Sequence, residues 1–273
     1  MPTAEPMSAM SDRFEFGANW RDFAAHALDD EGYRAAREHM ATLLPHAGSR
    51  ASFLDIGCGS GLFMLAALEC GFARARGFDY DPESVATTRR LIEAAGAGAV
   101  ATVERGDILD RDYLATLGRH PFVYAWGSLH HTGDQWRAIE HAIDLVDDDG
   151  VLVIAIYNRT WSSPLWRRIK RLYVSSGPLA RRGLVGAVFA AGATARAVYT
   201  RTNPFRQRRG MSFYHNIVDW VGGYPYEYAS PDEVRDFVER RGLELVELRP
   251  GPTPIACNEF IFRRVRAVND GAA

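Results

Sequence analysis

Three glycines and three acidic residues, in a fixed order, carry the chemistry legible in this chain. The run Phe53-Leu54-Asp55-Ile56-Gly57-Cys58-Gly59-Ser60-Gly61 reads as an apolar strand leading into a G-x-G-x-G loop, with an acid just ahead of the glycines. Glycines at 57, 59 and 61 lack Cβ atoms, so the backbone can take positive φ and a ligand can lie against it. Loop amides and the N-terminus of the next helix would then face the ligand's anionic end, with Asp55 near its ammonium group. A dinucleotide fingerprint would put its third glycine where Leu62 stands, so the loop does not read as an NAD site. A second acid, Asp79, ends the next apolar strand and is followed by Tyr80. A carboxylate at the carboxyl edge of an open α/β sheet can accept both hydroxyls of a ribose. A third acid, Asp107, precedes Ile108 after a short Val-Ala-Thr-Val strand.

With this order, and with Phe122-Val123-Tyr124-Ala125-Trp126-Gly127-Ser128-Leu129-His130-His131 at a fourth strand, the chain resembles the class I S-adenosylmethionine (SAM) dependent methyltransferases. The resemblance is close over about 55–157 and looser over 229–264. It implies SAM as cofactor, with Asp107 meeting the adenine amino group and Tyr80, Ile108 and Trp126 also in contact. In many such enzymes an N-terminal segment folds over the cofactor. That makes Phe16, Asn19 and Trp20, in the aromatic stretch 14–20, candidate lid residues; the plainer reading is a helix staple with Trp20 packed on the sheet.

A sulfonium methyl donor needs no protein nucleophile. The protein must align the acceptor in line with the methyl group, exclude water and, for a protonated acceptor, remove a proton. His130 and His131 follow the fourth strand, and imidazole suits a base at neutral pH. At most one of the two faces the acceptor, with His131 preferred; the alternatives are a hydrogen bond to a loop carbonyl or a contact with the cofactor's methionine end. His215 and Asp219, four apart, could form a second base with its orienting carboxylate, or a plain helix pair. Tyr157 and Asn158 after the fifth strand, and Tyr224 and Tyr226 in a Gly-Gly-Tyr-Pro turn, are candidate acceptor contacts. No metal is expected, because His130, His131 and Asp134 lack zinc spacing and one acid is too little for magnesium.

The elements that must position these residues read as a doubly wound α/β sheet of seven strands. Strands are expected at 52–56, 75–79, 100–104, 121–126 and 150–156, a helix over about 20–44, and a closing hairpin of 243–248 and 258–263 that the resemblance makes antiparallel. The chain divides into an N-terminal helical cap (1–50), a SAM-binding core (51–157), a basic helical insertion (158–228) and the end of the core with a short tail (229–273). Between 158 and 218 stand 11 arginines and Lys170 with no acid, so this stretch carries about +12 within a chain of net charge −2. It reads as a substrate lid, with peripheral membrane contact as the sharper alternative. On its first helix Leu165, Ile169, Leu172 and Tyr173 are expected to share one apolar face. Lys170 is the only lysine against 31 arginines, which reads as coding bias.

Three unpaired-looking cysteines and the lack of a signal pattern or of an apolar run of membrane length suit the cytoplasm. The resulting expectation is methyl transfer to a small-molecule or lipid-like acceptor, with oxygen as the base-rate acceptor atom and no nucleic-acid partner. A non-catalytic SAM-binding scaffold, or a methyltransferase acting on RNA or protein, stands as the alternative, and the oligomeric state is left open.

Overall fold

The computed structural model describes residues 14, 16–26, 30–195 and 213–264; of 23–26, 191–195, 213–216 and 219 it describes the backbone alone. Seven strands form one sheet in the order β3-β2-β1-β4-β5-β7-β6. These are β1 Phe53–Ile56, β2 Ala75–Asp79, β3 Ala101–Arg105, β4 His120–Trp126, β5 Val146–Tyr157, β6 Leu243–Arg249 and β7 Cys257–Arg264. The first five pair in parallel, whereas β7 lies antiparallel between β5 and β6. Strand order reverses between β1 and β4, the place where open α/β sheets bind their ligands.

Side-chain alternation explains why helices cover both faces. Phe53, Phe122, Tyr124, Val151, Val153 and Ile261 point to one side, where they pack on α2 (Asp30–Leu43) and α3 (Leu62–Glu69). Leu54, Val123, Ala125, Leu152, Ile154 and Phe262 point to the other, against α6 (Gln135–Asp144) and α10 (Pro231–Glu239). Buried Glu259 on β7 ties the layers together. It accepts from the Trp126 indole at 2.9 Å and pairs with Arg249 and His39, each at 3.1 Å. A buried charge persists when it is paired and hydrogen-bonded in this way.

Three elements depart from the sequence expectation. The single N-terminal helix is two, α1 Phe16–His26 and α2 Asp30–Leu43. β5 starts at Val146 instead of 150, absorbing the acidic turn with Asp149 in the left-handed region at φ 62°. The first helix of the insertion, α7 (Ser163–Ser175), packs through Ser163, Lys170, Tyr173 and Val174, while Leu165 and Leu172 face outward. The reason is aromatic: the Lys170 ammonium lies 4.7–5.3 Å from the ring centroids of Tyr226, Trp220 and Tyr157, and ring faces attract a cation. Together α7, α8 (Pro178–Ala195) and α9 (Phe213–Gly222) close a small apolar cluster of their own around Tyr173, Val185 and Val221. The remaining helices, α4 (Pro82–Ala94) and α5 (Arg111–Ala115), follow β2 and β3.

Candidate active site

The glycine loop leaves β1 at the switch point with Gly57, Gly59 and Gly61 at φ 72°, 58° and 79°. Side chains crowd each of them: a Cβ at 57 would overlap Ser128, one at 59 would fall 2.8 Å from the Trp20 indole, and one at 61 would fall 2.6 Å from Thr88. Conformation and space therefore both demand glycine here. The loop is fixed by its neighbours: Gly57 N donates to Phe78 O at 2.9 Å, Thr88 Oγ1 to Gly59 O at 3.0 Å, and Ser128 Oγ to Ile56 O at 2.7 Å.

Around the loop stand the three expected acids. Asp79 accepts from Gly59 N at 3.0 Å on one oxygen and from Asp81 N at 2.9 Å on the other. Burial raises its pKa to about 6 against the pull of those bonds. Asp55 is 4% exposed, and burial, then the charge of Asp79, pushes it up to about 8. No described residue hydrogen-bonds or ion-pairs with its carboxylate. Asp107 accepts from Leu109 N at 2.9 Å, beside buried Ile108. A buried acid with no cation among the described residues, a second acid at a strand end and a crowded glycine cradle fit a ligand with ammonium, sulfonium and ribose groups.

Helix α1 lies across this edge. Gly17 N donates to Asp81 at 2.7 Å, Trp20 covers Gly59, Arg21 pairs with Glu83 at 3.0 Å, and Asn19 is buried. The Phe16 ring meets His131 at a tilt, with centroids 4.8 Å apart. The His131 ring sits 2.6 Å from the carbonyl of Pro225 through Nδ1. Since a carbonyl only accepts, Nδ1 carries the hydrogen, and a neutral ring then holds its lone pair on Nε2.

The structure separates the other candidates. His130 is fully buried, and burial, then His131 and Lys170, hold its pKa well below the usual range. It packs on Tyr157 with ring centroids 4.2 Å apart. Asn158 donates its amide to Pro254 O at 2.9 Å, which engages it with the loop before β7. Trp126 is turned toward Glu259. Tyr80 neighbours Arg105, whose Nε donates to its carbonyl at 3.3 Å. Tyr157 and Tyr226 are buried with rings 5.0 Å apart, and Tyr224, half-buried, accepts from Phe14 N at 3.1 Å. The side chains of His215 and Asp219 lie outside what the structure describes.

Two contributors escaped the sequence reading. Glu227 accepts from Gly133 N at 3.0 Å and Gln135 N at 3.2 Å, and its own amide donates to His130 O at 3.1 Å, fixing the histidine loop. Burial raises its pKa to about 7. Lys170, whose rarity reads in sequence as coding bias, lies among the rings of Tyr157, Trp220 and Tyr226.

Sheet order, glycine loop and acid placement define the architecture of a class I, SAM-dependent methyltransferase. A family model for a methyltransferase domain matches residues 28–248, and the chain belongs to that family, whose cofactor is SAM. Among curated relatives, the ribosomal protein L11 methyltransferase of Gloeobacter violaceus (strain ATCC 29082 / PCC 7421) is 42% identical over 55 residues, 20% of this chain. The match spans only 17% of that relative's length. Among solved structures, magnesium protoporphyrin IX methyltransferase from Synechocystis PCC 6803, with S-adenosylhomocysteine bound, superposes with a TM-score of 0.55 at 14% identity, covering 90% of this chain and 93% of that one. A SAM-dependent methyltransferase from Anabaena variabilis ATCC 29413 gives 0.57 at 11% identity, covering 96% and 99%.

Proposed function

We propose that the protein transfers the methyl group of SAM to an oxygen of a small-molecule or lipid-like acceptor, with His131 as the general base. The observation that carries this is the His131–Pro225 hydrogen bond of 2.6 Å, which sets one tautomer and orients the ring. When bound, SAM supplies an electrophilic methyl group. Asp55 answers its ammonium, Asp79 its ribose hydroxyls, and Asp107 with Ile108 its adenine; Gly57, Gly59 and Gly61 let it lie against the backbone. His131 Nε2 takes the proton of an acceptor hydroxyl as the methyl group moves in line. Phe16, Tyr157, Tyr224 and Tyr226 wall the reaction from water and hold an apolar acceptor. Neutral His130 supports the His131 ring without competing for the proton. The L11 relative covers too little of the chain to carry its protein acceptor across.

The test is transfer of a labelled methyl group to a panel of hydroxylated acceptors. His131→Ala should lower turnover by about 10²–10⁴-fold, the usual contribution of a positioned base, while leaving S-adenosylhomocysteine affinity nearly intact. Equal losses in turnover and affinity would make His131 a cofactor contact and overturn the assignment.

A further inference from the structure

Beyond the reaction itself, we propose that the outward face of α7, with the start of α8, docks on the surface of an anionic phospholipid bilayer. Of the six large apolar side chains exposed among the described residues, four cluster here: Trp161 at 93%, Leu165 at 54%, Leu172 at 61% and Leu179 at 83%. At 3.6 residues per turn, Leu165, Arg168 and Leu172 fall on one narrow strip of α7, with Trp161 one turn earlier and Leu179 just beyond. Arg171 continues the exposed arc, and the opposite side carries buried Lys170, Tyr173 and Val174.

Among the described residues, part of the charge on this face is uncommitted. Arg159 pairs with Glu233 at 2.7 Å, and Arg181 donates to the Tyr173 and Val174 carbonyls that end α7. No described residue pairs with Arg168, Arg171 or Arg182. No acid stands between 158 and 218 to neutralise them. Tryptophan and leucine beside arginines with no acid partner among the described residues match the two layers of a membrane interface: apolar side chains enter the headgroup boundary and guanidinium groups meet lipid phosphates. A second copy would set arginine against arginine, and a nucleic acid would gain little from the leucines. Among the described residues no helix is long and apolar enough to cross a membrane, so the contact lies on the surface.

Co-sedimentation of the full chain with vesicles of phosphatidylcholine alone, and with phosphatidylglycerol added, tests the proposal. Binding should require the anionic lipid and weaken with salt. The pairs Leu165→Ser with Leu172→Ser, and Arg168→Glu with Arg171→Glu, should each lower the partition by about tenfold or more. S-adenosylhomocysteine binding and the unfolding temperature should stay as in the parent, which separates this outcome from failure of the methyl-transfer reading. Absence of binding to anionic vesicles, equal binding to neutral ones, or binding undiminished in both variants would overturn it. So would tighter binding to polyuridylate than to vesicles, or a dimer that the leucine pair dissolves.

Discussion

Asp55 is held where water cannot solvate its charge. Its raised pKa, about 8 against an unfolded value near 3.8, means the folded state binds more protons than the unfolded one across that window. Stability contributed by this group therefore falls as pH rises from about 4 to 8, at up to about 1.4 kcal/mol per pH unit. Asp55→Asn should remove the fall, so the ligand-free variant should melt above the parent by a margin that widens toward pH 8. The same change should weaken S-adenosylhomocysteine, whose ammonium the carboxylate would answer; thermal melts across pH with and without ligand read both effects. Asp79→Ala should cost binding about 2–4 kcal/mol, as for a lost charge-assisted pair of hydrogen bonds, and calorimetric affinity equal to the parent's would sink the ribose assignment. These residues were legible because strand, acid and glycines are consecutive, so chain geometry alone places them. Lys170 and Glu227 were not: the partners that define them, Tyr226 and the loop at Gly133 and Gln135, stand more than fifty positions away in sequence.

Among the elements, α1 bears most directly on the cofactor, since Trp20 lies where a Gly59 side chain would be. Trp20→Ala should speed S-adenosylhomocysteine release several-fold by opening one wall, measured by stopped-flow displacement. Gly59→Ala should do more harm. It forces an L residue to φ near 58°, costing roughly 1–2 kcal/mol, and displaces the indole as well. Parent-like ligand affinity in both variants would leave α1 as packing alone. Strand positions were readable from period-two alternation, and the structure moves most of their ends by one residue. The docking of α1 was not readable, because Gly17 meets Asp81 across 64 positions. The packed face of α7 was misjudged for a related reason: hydropathy assigns a lysine outward, and only the assembled rings make the inward place favourable.

At the scale of the molecule, α7, α8 and α9 share a small apolar cluster in an arginine-rich stretch, and Lys170 contacts both the Trp220 ring of α9 and the Tyr157 ring of β5. Lys170→Ala should lower unfolding free energy by about 2–4 kcal/mol through the space left among the rings, whereas Lys170→Met, close in volume, should cost under about 1.5. Equal losses in denaturant titrations would show that the ammonium, more than the side chain's bulk, holds the insertion down. The sequence displayed the charge division plainly but could not say which arginines remain without acids, since that depends on which folded surfaces meet. The burial of the only lysine has one more consequence. Acylation or ubiquitination of a lysine side chain needs an exposed ammonium, and the chain's only lysine, Lys170, is fully buried. Acylation at position 170, followed by mass spectrometry, would therefore act as a clock for opening, with each modified molecule recording one excursion of the insertion away from the sheet.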